Sequence, residues 1–295
     1  MTKRNLWLEL GDCEKLVSDG ATGTNLQSMG LQQGKTAEEW VLERPQAILD
    51  LENQFVEVGS DFILTCTFGA TRLRLEASGM GDRVVEINHQ AVKLARQAIG
   101  ERNIWLAGSI GPTGSMMQPL GPLSAEDARA TFKEQAGLLA EAGVDMLVIE
   151  TQFDLNEARA AILGVRDVSN LPLVVSFSFD RGKRTMMGVS AKDLVDLGEE
   201  MDLSILGINC GRSLEDNLAV LKEVRSLTNK AVWFKPNAGL PQVNEEGQSV
   251  YDVTPSMMGQ AASEWIKAGA DIIGGCCGTS PEHLSKIHAA TLKYR

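Results

Sequence analysis

Histidines and aromatic residues are scarce in this sequence, and it has no long hydrophobic run. Only His89, His283 and His288 are present, which excludes a zinc site of the HExxH type and leaves sulfur or oxygen as the main ligands for any metal. Aromatic residues make up 5% of the 295 residues, but the hydrophobic fraction of 43% excludes a disordered, collagen-like or fibrous protein. No apolar run is long enough to cross a bilayer, and the N-terminal segment lacks the apolar stretch of a signal peptide. We therefore expect a globular protein that does not enter a membrane.

Basic residues are outnumbered by acidic ones. The 28 Lys and Arg residues against 39 Asp and Glu residues give a formal net charge of −11 at pH 7. This balance opposes binding to phosphate backbones and anionic lipid surfaces, so neither nucleic acid nor a membrane is expected as a partner. Five cysteines, an odd number, and the missing export signal favour a cytoplasmic location, where cysteines serve chemistry or metal binding more often than disulfides.

Short apolar segments alternate with helical patterns along the chain. Eight segments rich in Val, Ile, Leu and Phe lie at 16–18, 62–65, 104–107, 146–149, 173–177, 205–208, 232–234 and 272–273. Helix-spaced apolar residues lie at 45–58, 82–99, 124–142, 156–168, 213–227, 254–268 and 281–292, with a weaker pattern at 191–200. Eight alternating units predict a single α/β domain over residues 1–295, a (β/α)8 TIM barrel. The alternative, an open doubly wound sheet, lacks a GxGxxG turn in its first unit.

Three of the predicted helices end with the same pattern, Gly-x-Asp, at 59–61, 143–145 and 269–271. Glycine commonly ends a helix in the left-handed conformation. The repetition supports a fold built from similar units.

Three cysteines are predicted to meet at the C-terminal face of the barrel, where barrel enzymes carry their active sites. Cys210 follows the sixth strand, and Cys276 and Cys277 follow the eighth. Adjacent cysteines form either a vicinal disulfide or two ligands to one soft metal; the glycines at 274–275 and 278 favour the second, because they let both sulfurs turn to one side. Three thiolates with a vacant fourth position are the pattern of catalytic zinc. The alternative is that these are small buried residues at a tight turn.

These strand ends resemble the homocysteine S-methyltransferase family. The motifs that carry the resemblance are DGATGT (19–24), ILTCTFGA (63–70), GSIGPTG (108–114), IET (149–151), GINC (207–210), PNAGLP (236–241) and GGCCGTSPEH (274–283). They span the whole chain, and GINC followed at barrel spacing by GGCCGT is highly specific. PNAG is most similar to the homocysteine-binding module of cobalamin-dependent methionine synthase.

The resemblance implies a zinc-dependent methyltransferase. Cys210, Cys276 and Cys277 would bind Zn²⁺, the homocysteine thiol would take the fourth position, and Asn237 would occupy that position without substrate. A free thiol has a pKa of about 8.5 and is mostly protonated at pH 7, whereas coordination deprotonates it. Three protein thiolates cancel the zinc charge, so the substrate sulfur stays electron-rich enough to attack a methyl group in line and form methionine.

The resemblance also implies an amino-acid site beside the metal. Glu150, with Thr151 next to it, is expected to hold the substrate ammonium. Asp19 and the backbone of Gly20 and Ala21 are expected to line the amino-acid end. The alternative for both carboxylates is a capping role at a helix or strand end.

The methyl donor is open at this point. The sequence has no DxHxxG corrinoid signature, and we expect no fused folate, cobalamin or reactivation module. Methylcobalamin would then arrive on a separate corrinoid protein, which the synthase-like motifs favour. The alternatives are S-methylmethionine or betaine as a direct donor, a corrinoid-linked demethylase running in reverse, and, in a different class, a redox sensor that binds zinc or thiols through its cysteines.

Several positions depart from the family pattern. Cys66 stands where Asn is common, Asn25 where an acidic residue is frequent, and RTMMG at 184–188 replaces a more polar loop. These changes concern the thiol or the donor rather than the metal. Cys13 and Cys66 are interpreted as packing residues, although Cys66 is near the predicted pocket.

Overall fold

The computed structural model describes Leu6, Leu10 and residues 14–32, 34–243 and 249–294. Cys13 lies outside these residues. Over the described ranges, eight parallel strands form one sheet, and two short strands form a separate antiparallel hairpin. The barrel strands are β1 (Leu16–Val17), β2 (Phe62–Leu64), β3 (Trp105–Ile110), β4 (Met146–Gln152), β5 (Leu173–Phe177), β6 (Ile205–Cys210), β7 (Ala231–Pro236) and β10 (Ile272–Ile273), and the hairpin strands are β8 (Gln242–Val243) and β9 (Ser249–Val250).

The sheet is closed into the predicted barrel. Its strand order is β1-β10-β7-β6-β5-β4-β3-β2, and a parallel bridge between Ser18 and Phe62 joins the two ends. This closure rules out the open doubly wound alternative. One domain over the whole of residues 1–295 stays a prediction, because that span includes residues outside the described ranges.

Helices follow the strands around the outside of the barrel. Those of the described residues are α1 (Thr22–Ser28), α2 (Ala37–Glu43), α3 (Pro45–Glu57), α4 (Arg72–Ala77), α5 (Val84–Ile99), α6 (Ala125–Ala142), α7 (Leu155–Arg166), α8 (Ala191–Glu200), α9 (Leu214–Leu227), α10 (Pro255–Lys267) and α11 (Pro281–Thr291), with 3₁₀ turns at Gly81–Arg83 and Leu292–Tyr294. The weak pattern at 191–200 is a full helix because Ser190 and Asp193 form a capping box at its start. No helix within the described ranges is both long and apolar enough to span a membrane.

The aspartates of the three Gly-x-Asp segments accept hydrogen bonds from the backbone of the neighbouring strand. Gly143 ends α6 with φ 93°, in the left-handed region predicted for it. The aspartate that follows, Asp145, accepts a hydrogen bond from the Leu106 backbone N–H on the adjacent strand, at 2.9 Å. Asp61 accepts the Val17 N–H in the same way, at 2.8 Å. The repeated motif therefore fixes the register between strands as well as ending a helix.

Apolar side chains fill the lower part of the barrel, and polar side chains line its upper part. Phe62 stacks on Trp105 with ring centroids 4.9 Å apart, and it meets the Trp233 ring edge-on at 5.4 Å. Strand side chains alternate between faces. A residue two or four positions after an inward-facing apolar residue of the same strand, such as Trp105 or Trp233, therefore also faces the barrel axis. These polar positions are Ser109, Glu150, Ser176, Asn209 and Lys235, and all five are buried. They lie at the strand ends where the active site was predicted.

Candidate metal and substrate site

Three thiols converge at the C-terminal face of the barrel, as the sequence predicted. Cys210 ends β6, whereas Cys276 and Cys277 lie in the loop after β10. Their Sγ atoms all lie within 4.8 Å of one another, and those of Cys210 and Cys276 are 3.0 Å apart. Hydrogen bonds from Cys210 and Cys276 lower the pKa of the Cys277 thiol, and hydrogen bonding to Cys276 raises that of Cys210. The three sulfurs are thus close enough to bind one metal ion, which they would do as thiolates.

The loop after β10 is shaped by glycines that have no room for a side chain. A Cβ at Gly274 would lie 2.7 Å from the Asp19 carbonyl oxygen, and one at Gly275 would lie 2.4 Å from the Thr279 side chain. Cys276 donates its backbone N–H to the Pro236 carbonyl at 2.9 Å. The loop is therefore packed against β1 and bonded to β7, which holds both sulfurs over the barrel mouth.

Asn209 connects the thiols to β4, a role that the sequence reasoning missed. Its Oδ1 accepts hydrogen bonds from the Thr151 N–H at 3.0 Å and the Ser176 hydroxyl at 2.6 Å. Its Nδ2 donates to Thr151 Oγ1 at 2.7 Å and lies 3.5 Å from the sulfur of Cys210. Thr151 and Cys210 both have positive φ, 60° and 57°, a conformation that a β-branched residue rarely adopts. Asn209 thus joins two strained residues, and such strain clusters at functional sites. The only sequence signal was its place beside Cys210 in GINC.

One cavity of about 540 Å³ contains the thiols and most of the predicted substrate residues. Gly20, Ala21, Glu150 and Thr151 line it, as do the three cysteines. The Ala21 N–H is already used in a bond to Thr279 Oγ1 at 3.1 Å. Among the described residues that line this cavity, Asp19 does not appear. Four of the five predicted substrate residues therefore line the cavity.

Glu150 is a buried carboxyl group facing this cavity. Its Oε1 accepts a hydrogen bond from the Ser109 hydroxyl at 2.5 Å. Burial raises the pKa of Glu150 to about 7, although the nearby Lys235 ammonium acts in the opposite direction. The group therefore changes charge near neutral pH, and a cation in the cavity would favour its ionised form.

Asp19 binds a lysine of this chain. The Lys235 Nζ donates to Asp19 Oδ1 at 2.6 Å, and both side chains are almost completely buried, with 3% and 2% exposed. Asp19 Oδ2 accepts the Leu64 N–H at 2.7 Å. Lys235 faces the cavity. The sequence reasoning had not considered Lys235, although it directly precedes PNAGLP.

Asn237 lies beside the sulfur cluster with an unused oxygen. Its N–H donates to the Cys210 carbonyl at 3.1 Å, and its Nδ2 donates to the Gly211 carbonyl at 2.9 Å. Its Oδ1 is buried and has no hydrogen-bond partner among the described residues. The three soft thiols fit the ligand preferences of zinc, and the unpartnered Oδ1 of Asn237 belongs to a residue bonded to the carbonyl of Cys210.

The sequence profile of the homocysteine S-methyltransferase family matches residues 16–291. The chain belongs to the homocysteine S-methyltransferase family. The motifs had implied membership of this family. It is 26% identical over 295 residues to methionine synthase of Mycobacterium leprae (strain TN), covering 94% of this chain and 24% of that protein. The methionine synthase of Mycobacterium tuberculosis (strain ATCC 25618 / H37Rv) is 27% identical over 292 residues, covering 93% and 24%. The chain thus spans about a quarter of the length of these relatives.

Two solved structures have the same fold as this chain. The metallated form of the homocysteine methyltransferase MmuM from Escherichia coli has a TM-score of 0.82 at 25% identity, with 96% of this chain and 99% of that chain covered. Its oxidized form gives a TM-score of 0.81, also at 25% identity, with 97% and 99% covered.

Of the departures from the family pattern, Cys66 lines the same cavity, whereas Asn25 and residues 184–188 are not among the residues that line it. Cys66 is buried and lines it, and burial raises the pKa of its thiol well above the usual range. Asn25 donates to the carbonyls of Ala21, at 2.5 Å, and Thr279, at 2.8 Å, which ties the first barrel loop to the last. Met186 is exposed. His283 is a capping group: its Nδ1 accepts the Ser280 N–H at 3.1 Å at the start of α11.

Proposed function

We propose that this protein methylates the sulfur of homocysteine, held as a zinc thiolate by Cys210, Cys276 and Cys277, to give methionine. The observation that carries the proposal is the convergence of three Sγ atoms within 4.8 Å on the wall of the cavity that also contains Glu150. Family membership favours this activity over a redox sensor, which needs no pocket for an amino acid.

Different residues of the chain would bind the sulfur end and the amino-acid end of the substrate. Zn²⁺ bound by the three thiolates would keep the acceptor sulfur deprotonated and nucleophilic. Asn237 is the residue proposed to fill the fourth position before the substrate arrives, because its Oδ1 is buried without a partner among the described residues. Asn209, with its Nδ2 3.5 Å from the Cys210 sulfur, holds that ligand in orientation.

The amino-acid end is proposed to lie along β4 and the first barrel loop. Glu150 would bind the substrate ammonium, whose positive charge stabilises the ionised carboxylate inside a buried site. Thr151, Gly20 and Ala21 line the cavity next to it and would limit the size of the amino-acid part. Asp19 is proposed to act indirectly, through Lys235. Holding the acceptor at a fixed angle to the donor contributes much of the rate in a displacement of this kind.

A separate methylcorrinoid protein is the proposed donor. The synthase-like motifs and the similarity to two methionine synthases support it. Exposed apolar side chains also surround the barrel mouth, in the loops after β3, β5 and β7. Leu120, Met186 and Leu240 are among them, with 66%, 53% and 45% of their surface exposed. The likeness to MmuM, a homocysteine methyltransferase of which this chain covers 99%, supports homocysteine as the methyl acceptor and leaves a small donor that acts directly as the alternative.

The test supplies zinc-loaded protein and homocysteine with one donor at a time and measures methionine. The donors are methylcobalamin, S-methylmethionine, betaine and methylated aromatic or amine compounds. We expect stoichiometric zinc in the wild type, and loss of zinc and of methionine formation with every donor in Cys277→Ser. Wild-type protein without stoichiometric zinc, or Cys277→Ser that retains full activity, would refute the zinc thiolate. Methionine from one donor alone assigns the donor.

A further inference from the structure

Lys235 is a buried cation on the wall of the substrate cavity. It lies near the end of β7, and its side chain points toward the barrel axis with 3% of its surface exposed. Burying an ammonium is costly unless it is paired, and the bond of 2.6 Å to Asp19 supplies the pairing. Lys235 is therefore a paired cation inside the barrel.

Asp19 has little capacity left for a ligand. Its Oδ1 accepts from Lys235 Nζ and, at 3.2 Å, from the Ser18 hydroxyl, while its Oδ2 accepts from the Leu64 N–H. It also lies behind the residues that line the cavity. Asp19, which was expected to line the amino-acid end of the site, is thus bound to an ammonium of the chain itself. This leaves Glu150 as the carboxylate that faces the cavity directly from β4.

Lys235 still has hydrogen-bond donors available on its cavity side. An ammonium carries three N–H donors, and within the described part of the chain the hydrogen bond found for Lys235 Nζ is the one to Asp19. Lys235 and Glu150 line the same cavity as Cys276, so opposite charges stand together beside the metal-binding sulfurs. An α-amino acid carries an ammonium and a carboxylate on one carbon, and such a pair of charges is complementary to it.

We propose that Lys235 binds the carboxylate of the acceptor thiol, with Asp19 as the positioning residue that holds the Lys235 ammonium in place. The inference rests on the proposed function, because it assigns the second end of the same substrate. It implies that the enzyme selects thiols bearing a carboxylate as well as those bearing an ammonium, with each group bound by a separate side chain.

The test compares the binding of three thiols to zinc-loaded protein by titration calorimetry. The thiols are homocysteine, 4-mercaptobutyrate, which lacks the ammonium, and 3-mercaptopropylamine, which lacks the carboxylate. In Lys235→Met we expect Kd to rise on the order of tenfold to a hundredfold for homocysteine and 4-mercaptobutyrate, the two thiols that carry a carboxylate. This is the range of a charge-assisted hydrogen bond. Kd for 3-mercaptopropylamine should rise by no more than about twofold, because that thiol makes no charge-assisted contact with Lys235.

Two further variants separate ligand binding from folding. Lys235→Met leaves the Asp19 carboxylate buried without its cation, so Asp19→Asn combined with Lys235→Met removes both charges and keeps an acceptor for the Leu64 N–H. The double variant should show the same selectivity as Lys235→Met. Lys222→Met, at an exposed position of α9, is the matched control and should bind all three thiols like the wild type.

The outcomes distinguish this inference from the proposed function. Equal losses for all three thiols in both variants, or unchanged binding of 4-mercaptobutyrate, would mean that Lys235 and Asp19 form a structural ion pair only, and would overturn the inference while leaving the proposed function intact. A wild type that binds none of the thiols would overturn the proposed function and this inference with it.

Discussion

Asn209 lies between the strained Thr151 and the sulfur of Cys210, and alanine in its place removes every hydrogen bond that its side chain makes. Ser176 is completely buried and would lose its acceptor, which costs about 1–3 kcal/mol for an unsatisfied buried group. Thr151 is half-buried, so water can replace part of its lost bonds, but its positive φ would no longer be held by two contacts with Asn209. We expect the free energy of unfolding to fall by about 2–4 kcal/mol.

The same substitution should weaken zinc binding. Groups that orient metal ligands typically contribute about 10–100-fold to metal affinity, and Asn209 Nδ2 lies 3.5 Å from the Cys210 sulfur. Urea denaturation of metal-free protein gives the first quantity, and competition with a chelator gives the second. Asn156→Ala, at an exposed position of α7, is the control and should change stability by less than about 0.5 kcal/mol. If Asn209→Ala retains wild-type zinc affinity, Asn209 supports the fold but does not orient the metal ligand, and our reasoning about the site is wrong.

Two further predictions concern charge and backbone packing. The pKa of Glu150, raised to about 7 in the folded protein from its usual 4.5, means that the folded state holds a proton more tightly than the unfolded state, so the stabilisation is present below pH 4.5 and is lost as pH rises through 7. Metal-free Glu150→Gln should therefore gain stability relative to wild type between pH 5 and pH 8, by up to about 3 kcal/mol in denaturant titrations; a constant difference would contradict the raised pKa. Gly274→Ala would place a Cβ 2.7 Å from the Asp19 carbonyl and should cost about 1–3 kcal/mol in thermal unfolding. Gly23→Ala, on α1 with open space around it, should be neutral or stabilising, and equal effects of the two would refute the packing argument.

Much of the site was predictable because its residues lie at recurrent positions. Cys210 and the Cys276–Cys277 pair follow strands that had been recognised by their apolar composition, and parallel strands of a barrel bring their C-terminal ends to one face. Glu150 and Thr151 line the cavity because they lie near the C-terminal end of β4, at the same face. The weak pattern at 191–200 shows the limit of this reasoning, since the structure has a full helix there, with a capping box at its start and Leu194, Val195 and Leu197 buried.

The barrel, the cluster of three cysteines and the place of Glu150 and Thr151 on the cavity wall therefore follow from the order of strands and motifs, because backbone topology determines which strand ends become neighbours. The pairing of Asp19 with Lys235, 216 positions apart, and the bonds from Asn209 to Thr151 and Ser176 were decided by the tertiary structure alone. A local sequence pattern shows which faces of an element are apolar. It does not show which buried polar groups become hydrogen-bond or ion-pair partners of one another. That choice depends on distances across the barrel, and here it placed Asp19, which was expected to line the amino-acid end of the site, in an internal ion pair.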